Sequence, residues 1–164
     1  MTKAMTGCAN NSLRMNNVSG AMIVAQMGVL PARVDHWNAM GDVIMEALEP
    51  VSDLIVVPKG EPGAGECFDH CVFSTPTFSQ EQRDFFTKEC KALGVDVKPF
   101  GTPENARFFK NWKFMNSIPD MPHTESIVRH AFDMKVPFNF TAADWEHVGA
   151  IMCDVARKAD ELKQ

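Results

Sequence analysis

The chain has 164 residues, 45% of them hydrophobic and 23% charged, which fits a folded domain with its own core and excludes a largely disordered chain. Sixteen Lys and Arg against twenty-one Asp and Glu leave a net charge of −5, so a nucleic-acid partner is not expected, while a small anionic ligand needs only a local site. The five cysteines are odd in number and irregularly spaced, with no Cys-x-x-Cys, as for free thiols in a reducing compartment.

No apolar run approaches the ~20 residues of a membrane span, and the amino terminus lacks the apolar stretch of a signal peptide. The expected location is cytoplasmic, with no membrane partner. Residues 1–16 read as a polar, Asn-rich loop. Val18, Ala21, Met22, Ala25, Val29 and Leu30 then recur at helical spacing, with Asn17 as N-cap. Val34, Trp37, Met40, Ile44 and Leu48 continue the pattern beyond Pro31, as one kinked helix or as two that meet there.

Leu54-Ile55-Val56-Val57 is a β-branched run that predicts a strand. A loop follows from Lys59 to Glu66, and a second strand spans 70–75. Ser79 with Gln82 forms a capping box for a helix that Gly94 ends. Val95 to Lys98 predicts a third strand. Residues 101–122 are irregular, with aromatic anchors at Phe108, Phe109, Trp112 and Phe114. A short helix is expected over 124–131 and an extended segment over 134–137. Thr141, with Asp144 at the acid position of a capping box, opens a closing helix whose stripe runs from Trp145 to Leu162.

These elements predict an α/β chain of the α+β kind: a small antiparallel sheet with helices on one face, plus a long helical arm. The expected division is 1–50 for loop and arm, and 51–164 for the small domain.

The stretch from Asn11-Ser12-Leu13-Arg14-Met15-Asn16-Asn17 through Gln26-Met27 resembles the signature of the DegT/DnrJ/EryC1/StrS aminotransferases, where an Asn-x-Arg-Met turn enters a helix with small residues. Three later segments match in order. His70-Cys71-Val72-Phe73 is similar to the family's His-x-Phe strand. Arg83 to Val95, ending Lys91-Ala92-Leu93-Gly94-Val95, is similar to its helix and turn. Met134-Lys135-Val136-Pro137-Phe138, with Thr141 and a helix behind it, is similar to its closing segment.

The resemblance implies part of a fold-type I transferase. There a large domain holds pyridoxal phosphate on a lysine, and a small carboxyl-terminal domain closes the site. The implied reaction moves an amino group from glutamate or glutamine to a keto-sugar. The implied partners are a second copy of the chain or a large domain, besides the keto-sugar and the amino-acid donor.

By the same resemblance, Asn11, Ser12 and Arg14 contribute to the cofactor phosphate site, and Arg14 and His70 face the substrate. Ser12 stands two residues before Arg14 and Asn11 three, a departure from the family spacing that leaves open which of them donates. The plainer alternative is a turn shaped by Asn10 and Asn11, a surface Arg14, and a strand histidine satisfied locally.

No catalytic residue is assigned. Transamination needs a lysine that forms a covalent link to the cofactor. The family's Gly-Glu-Gly-Gly turn after that lysine is absent, and Lys3 matches it only in a following Thr and Gly. The expectation is therefore a small-domain portion, inactive alone. The alternative is a stand-alone, non-catalytic binding or dimerisation module.

No metal is expected either. Cys67, His70 and Cys71 are crowded, and no second Cys/His pair follows at finger distance. The glycines of 59–65 have Glu61 and Glu66 beside them, which disfavours a phosphate cradle and favours a flexible connection.

Overall fold

The computed structural model describes residues 15–61, 63–103 and 105–162. Two helices form the arm, α1 (Asn17–Met27) and α2 (Leu30–Leu48). Asn16, rather than the expected Asn17, is the N-cap of α1, its side chain accepting from the Ser19 N–H at 2.8 Å. Pro31 lies in the first turn of α2, where its missing N–H has no intrahelical partner to lose.

Three strands make one sheet: β1 (His70–Ser74), β2 (Val97–Pro99) and β3 (Ala131–Lys135), in the order β1-β3-β2 with both pairings antiparallel. Cys71, Phe73, Val97, Phe132 and Met134 share the inner face and are buried. His70, Val72, Lys98, Asp133 and Lys135 share the other. Phe132 stacks on Phe73 with centroids 5.2 Å apart, and Phe86 meets both rings edge-on.

Phe86 belongs to α3 (Gln80–Ala92), which packs on α5 (Ala142–Glu161), and α5 packs on α2. Gly41, Ile44 and Leu48 of α2 are buried, so the carboxyl half of the arm is rooted in the core. A short helix α4 (Pro122–His130) leads into β3. The fold is thus α+β, with a three-stranded antiparallel sheet and five helices among the described residues. No described helix is long and apolar enough to cross a membrane.

Both expected capping boxes form. The Ser79 N–H donates to Gln82 at 2.8 Å, and the Thr141 N–H donates to Asp144 at 2.8 Å. Gly94 takes the left-handed conformation at φ 89°, as the residue after α3 must.

The strand expected over 54–57 is reduced to a single bridge between Val56 and Ser74. The N–H groups of Leu54 and Ile55 both donate to the Val51 carbonyl, closing a turn that follows the 3₁₀ segment Glu49–Val51. Pro58 then offers no N–H to extend pairing beyond Val57. Leu54 and Ile55 are buried as the β-branched run implies, but from a turn.

The third strand begins at Val97, two residues later than expected. The extended segment expected over 134–137 is the end of the central strand, which starts at Ala131 where helix was expected. Helical propensity at Ala131 yields there to the pairing of Phe132 with Phe73.

One consequence concerns acid. The N–H of Thr141, and then its hydroxyl, hold the Asp144 carboxyl below the usual aspartate value. A depressed folded pKa adds stability that is present above the unfolded value of about 4 and is lost as pH falls through the folded value. Asp144→Asn should therefore unfold more readily than the parent near neutral pH, with the gap closing below about pH 4. Urea midpoints measured across pH check this; a gap that widens in acid would contradict it.

Candidate functional site

His70 opens β1. Its neighbour Cys71 points into the core, so His70 lies on the other face of the sheet. Its Nδ1 lies 3.2 Å from an Asp69 carboxylate oxygen, and Lys135 stands opposite it on β3. A cleft of about 350 Å³ is lined by Asp69 and Lys135 of this trio together with Trp37, Val136, Pro137, Phe138 and Asn139; His70 adjoins it without lining it.

The arm builds one wall. The Trp37 indole N–H donates to the Val136 carbonyl at 3.1 Å, and His36 Nε2 lies 3.1 Å from the Phe138 carbonyl, which can only accept. The Phe138 ring sits 4.6 Å from that of His36 and 5.7 Å from that of Trp37, with the Arg33 guanidinium over it. Proline at 137 turns the chain out of β3, so Phe138 meets α2 instead of continuing the strand.

The cleft can hold a small polar ligand with an apolar body. The Asp69 carboxylate, 3.2 Å from Nδ1, orients the His70 imidazole. Lys135 supplies a cation without an ion-pair partner among the described residues. Trp37 and Phe138 supply the apolar wall.

Of the residues singled out in sequence, His70 lies in this setting. Asn11, Ser12 and Arg14 lie outside the described residues, as does Lys3. Cys67 and Cys71 do not converge on His70: Cys67 is exposed and Cys71 is buried on the opposite face of the strand. Burial, then the nearby Asp133, pushes the Cys71 thiol up to about 12, and burial pushes Cys90 to about 12, so both are protonated and unreactive near neutral pH.

Nothing in the local sequence pattern brings Lys135 to His70, or Trp37 and Phe138 to the adjoining cleft. The periodicity that gives Trp37 to the arm does not say which turn the arm crosses. The pairing of β1 with β3 spans about sixty residues, beyond the reach of a local pattern.

A second concavity, of about 470 Å³, runs along the arm between Met22, Ile23, Met27, Leu30 and Arg33. It is apolar, and no residue of α1 is buried. Val18, Met22, Val24 and Met27 are each at least 60% exposed, which single folded subunits seldom tolerate in a contiguous patch.

No protein-family model matches the chain, and no curated protein matches it in sequence. Solved structures do match in fold. One is DesI in the presence of its TDP-sugar product, with a TM-score of 0.70 and 18% identity over 91% of this chain and 38% of that one. Another is a DegT DnrJ EryC1 StrS aminotransferase from Brucella abortus, with a TM-score of 0.61 and 14% identity over 85% of this chain and 35% of that one. The chain thus shares the fold of one part of each of these two proteins and spans little more than a third of their length.

Proposed function

We propose that this chain is the small-domain portion of a pyridoxal-phosphate-dependent aminotransferase of the DegT/DnrJ/EryC1/StrS kind, acting on a keto-sugar with glutamate or glutamine as amino donor. The observation that carries the reading is the fold match across 91% of the chain to one part of such a protein. The motifs running in family order from Asn11 to Thr141 support it independently of the fold. In this reading residues 1–50 are the arm and 51–164 the closing domain, with His70 and its cleft facing the substrate.

In this reading the described residues hold only part of a cofactor site. Covalent attachment of pyridoxal phosphate needs a lysine whose amine is desolvated or set beside another cation. All eight described lysines are exposed, and Lys98, Lys110 and Lys158 are engaged with carboxylates. We therefore assign no chemical step to these residues. The covalent lysine belongs, in this reading, to a large domain, with Asn11, Ser12 and Arg14 adding to the phosphate site.

The arm supports a second element of the reading. Its apolar groove is the surface that a large domain or a second copy of the chain would cover. The same groove favours the alternative of a stand-alone dimerisation module without catalysis. Under either, the chain alone should associate and should bind a hydrophobic dye. Ile23→Glu with Met27→Lys should give a monomer with an unchanged core. Light scattering that shows a dilute monomer of the parent chain, with no dye binding, would contradict both. The leading reading also expects no transamination of a keto-sugar by the chain alone; turnover abolished by a single lysine change within it would overturn this.

A further inference from the structure

Asp133 is the middle residue of the central strand and lies on the face of the sheet away from Phe73 and Phe132. It is a charged residue only 9% exposed. Its Oδ2 accepts from Arg107 Nη1 at 2.7 Å, while its Oδ1 is shut off from solvent and has no partner. The Arg107 side chain, in contrast, is 61% exposed, and its other guanidinium donors have no partner among the described residues. Its Cζ also lies 5.4 Å from the Phe100 ring centroid.

The segment that delivers Arg107 has little regular structure, yet it is tied down closely. Asn105 Nδ2 donates to the Pro99 carbonyl at 3.0 Å, and Asn105 Oδ1 accepts from the Arg107 N–H at 2.9 Å. Asn111 Nδ2 donates to the Asn105 carbonyl at 2.7 Å, and the Trp112 indole donates to the Ala106 carbonyl at 2.8 Å. These bonds fix where the Arg107 backbone sits, and Asp133 with Phe100 fixes where its guanidinium sits.

Stability does not account for the arrangement. An ion pair with one exposed partner adds little, whereas a carboxylate oxygen left dry and unpaired is destabilising. What the arrangement does achieve is orientation: a planar fork held on one side, with its remaining donors free. Such a fork matches the two oxygens of an oxyanion. Lys98 stands in register beside Asp133 on the same face, its ammonium paired with the exposed Asp96. That register puts a second basic residue beside the carboxylate that anchors the fork.

We propose that Arg107, anchored by Asp133 and flanked by Lys98, is an oxyanion-binding site on this face of the sheet, taking a carboxylate or a phosphate monoester. The site requires no pyridoxal phosphate, so it stands or falls separately from the function proposed above.

The test is a titration of the ¹⁵N-labelled full chain with inorganic phosphate and, separately, with acetate, each against chloride at equal ionic strength. The cross-peaks followed are those of the Arg107 side chain and of the Lys98 and Asp133 amides. The expected result is a saturable shift with half-saturation at about 1–10 mM for at least one of the two. The tighter anion identifies the ligand as phosphate or carboxylate. Arg107→Lys keeps the charge but loses the fork, and should weaken binding at least ~10-fold. Lys98→Gln should weaken it about threefold. Asp133→Asn should weaken it too, although it makes the site more positive, because the fork is no longer held. Shifts no larger than with chloride, an Arg107→Lys chain that binds as well as the parent, or tighter binding by Asp133→Asn would each overturn the proposal. The amides of Phe73 and Phe86 report that each variant is folded; if Asp133→Asn is not, Arg107→Lys and Lys98→Gln decide.

Discussion

Phe132→Ala should remove about 3–5 kcal/mol of stability, a large share of the ~5–15 kcal/mol available to a domain of this size. The ring is fully buried on the central strand, stacked on Phe73 at an interplanar angle of 9° and met edge-on by Phe86 at 5.8 Å. Its removal leaves a cavity where β1, β3 and α3 meet. Three elements far apart in sequence surround it, so no single side chain can move in to fill it. Val72 is the control: it is on β1 but on the other face, and it is 40% exposed. Val72→Ala should cost less than about 1 kcal/mol. Urea unfolding monitored by circular dichroism measures both. A loss under about 1 kcal/mol for Phe132→Ala would mean that the sheet's inner face is not packed as described.

Gly149→Leu should be next in effect, at about 1–3 kcal/mol or more, and for the opposite reason. Gly149 is where α5 passes closest to α2: a Cβ there would stand 2.4 Å from the Ala47 Cβ and 3.4 Å from its Cα. A larger side chain pushes the helices apart and disturbs Ile44 and Leu48, which root the arm in the core. Even Gly149→Ala should destabilise measurably. Ala47→Gly made together with it should restore part of the loss, because the clash is between those two positions. A double-mutant cycle with no coupling between them would contradict the crossing geometry.

Much of this architecture is visible in local sequence patterns. Ser79 with Gln82 and Thr141 with Asp144 mark the starts of α3 and α5, since a capping box is made within four residues. Gly94 marks the end of α3 for the same local reason. The departures have one local and one long-range cause. Leu54 to Val57 has the composition of a strand, yet the carbonyl of Val51 captures two of its N–H groups and Pro58 stops the ladder. Ala131 looks helical, yet Phe132 is drawn to Phe73 across the sheet.

The candidate site was legible only in part. His70 stands out because its strand has a recognisable pattern. Lys135 joins it through a strand register, and Trp37 reaches the adjoining cleft through a helix crossing, neither of which a short window contains. Arg107 and Asp133 are 26 residues apart, and nothing in the irregular stretch around Arg107 announces that it reaches the central strand.

As proposed above, this chain closes a cofactor site whose covalent lysine lies elsewhere. The most direct measurement is to isolate from its own cells every species containing this sequence, reduce it with borohydride, and map pyridoxyl-lysine by mass spectrometry. The expected result is one pyridoxyl-lysine outside residues 1–164, on the same polypeptide or on a tightly bound partner. A pyridoxyl group on a lysine within 1–164, or its absence from every species that carries the sequence, would contradict it.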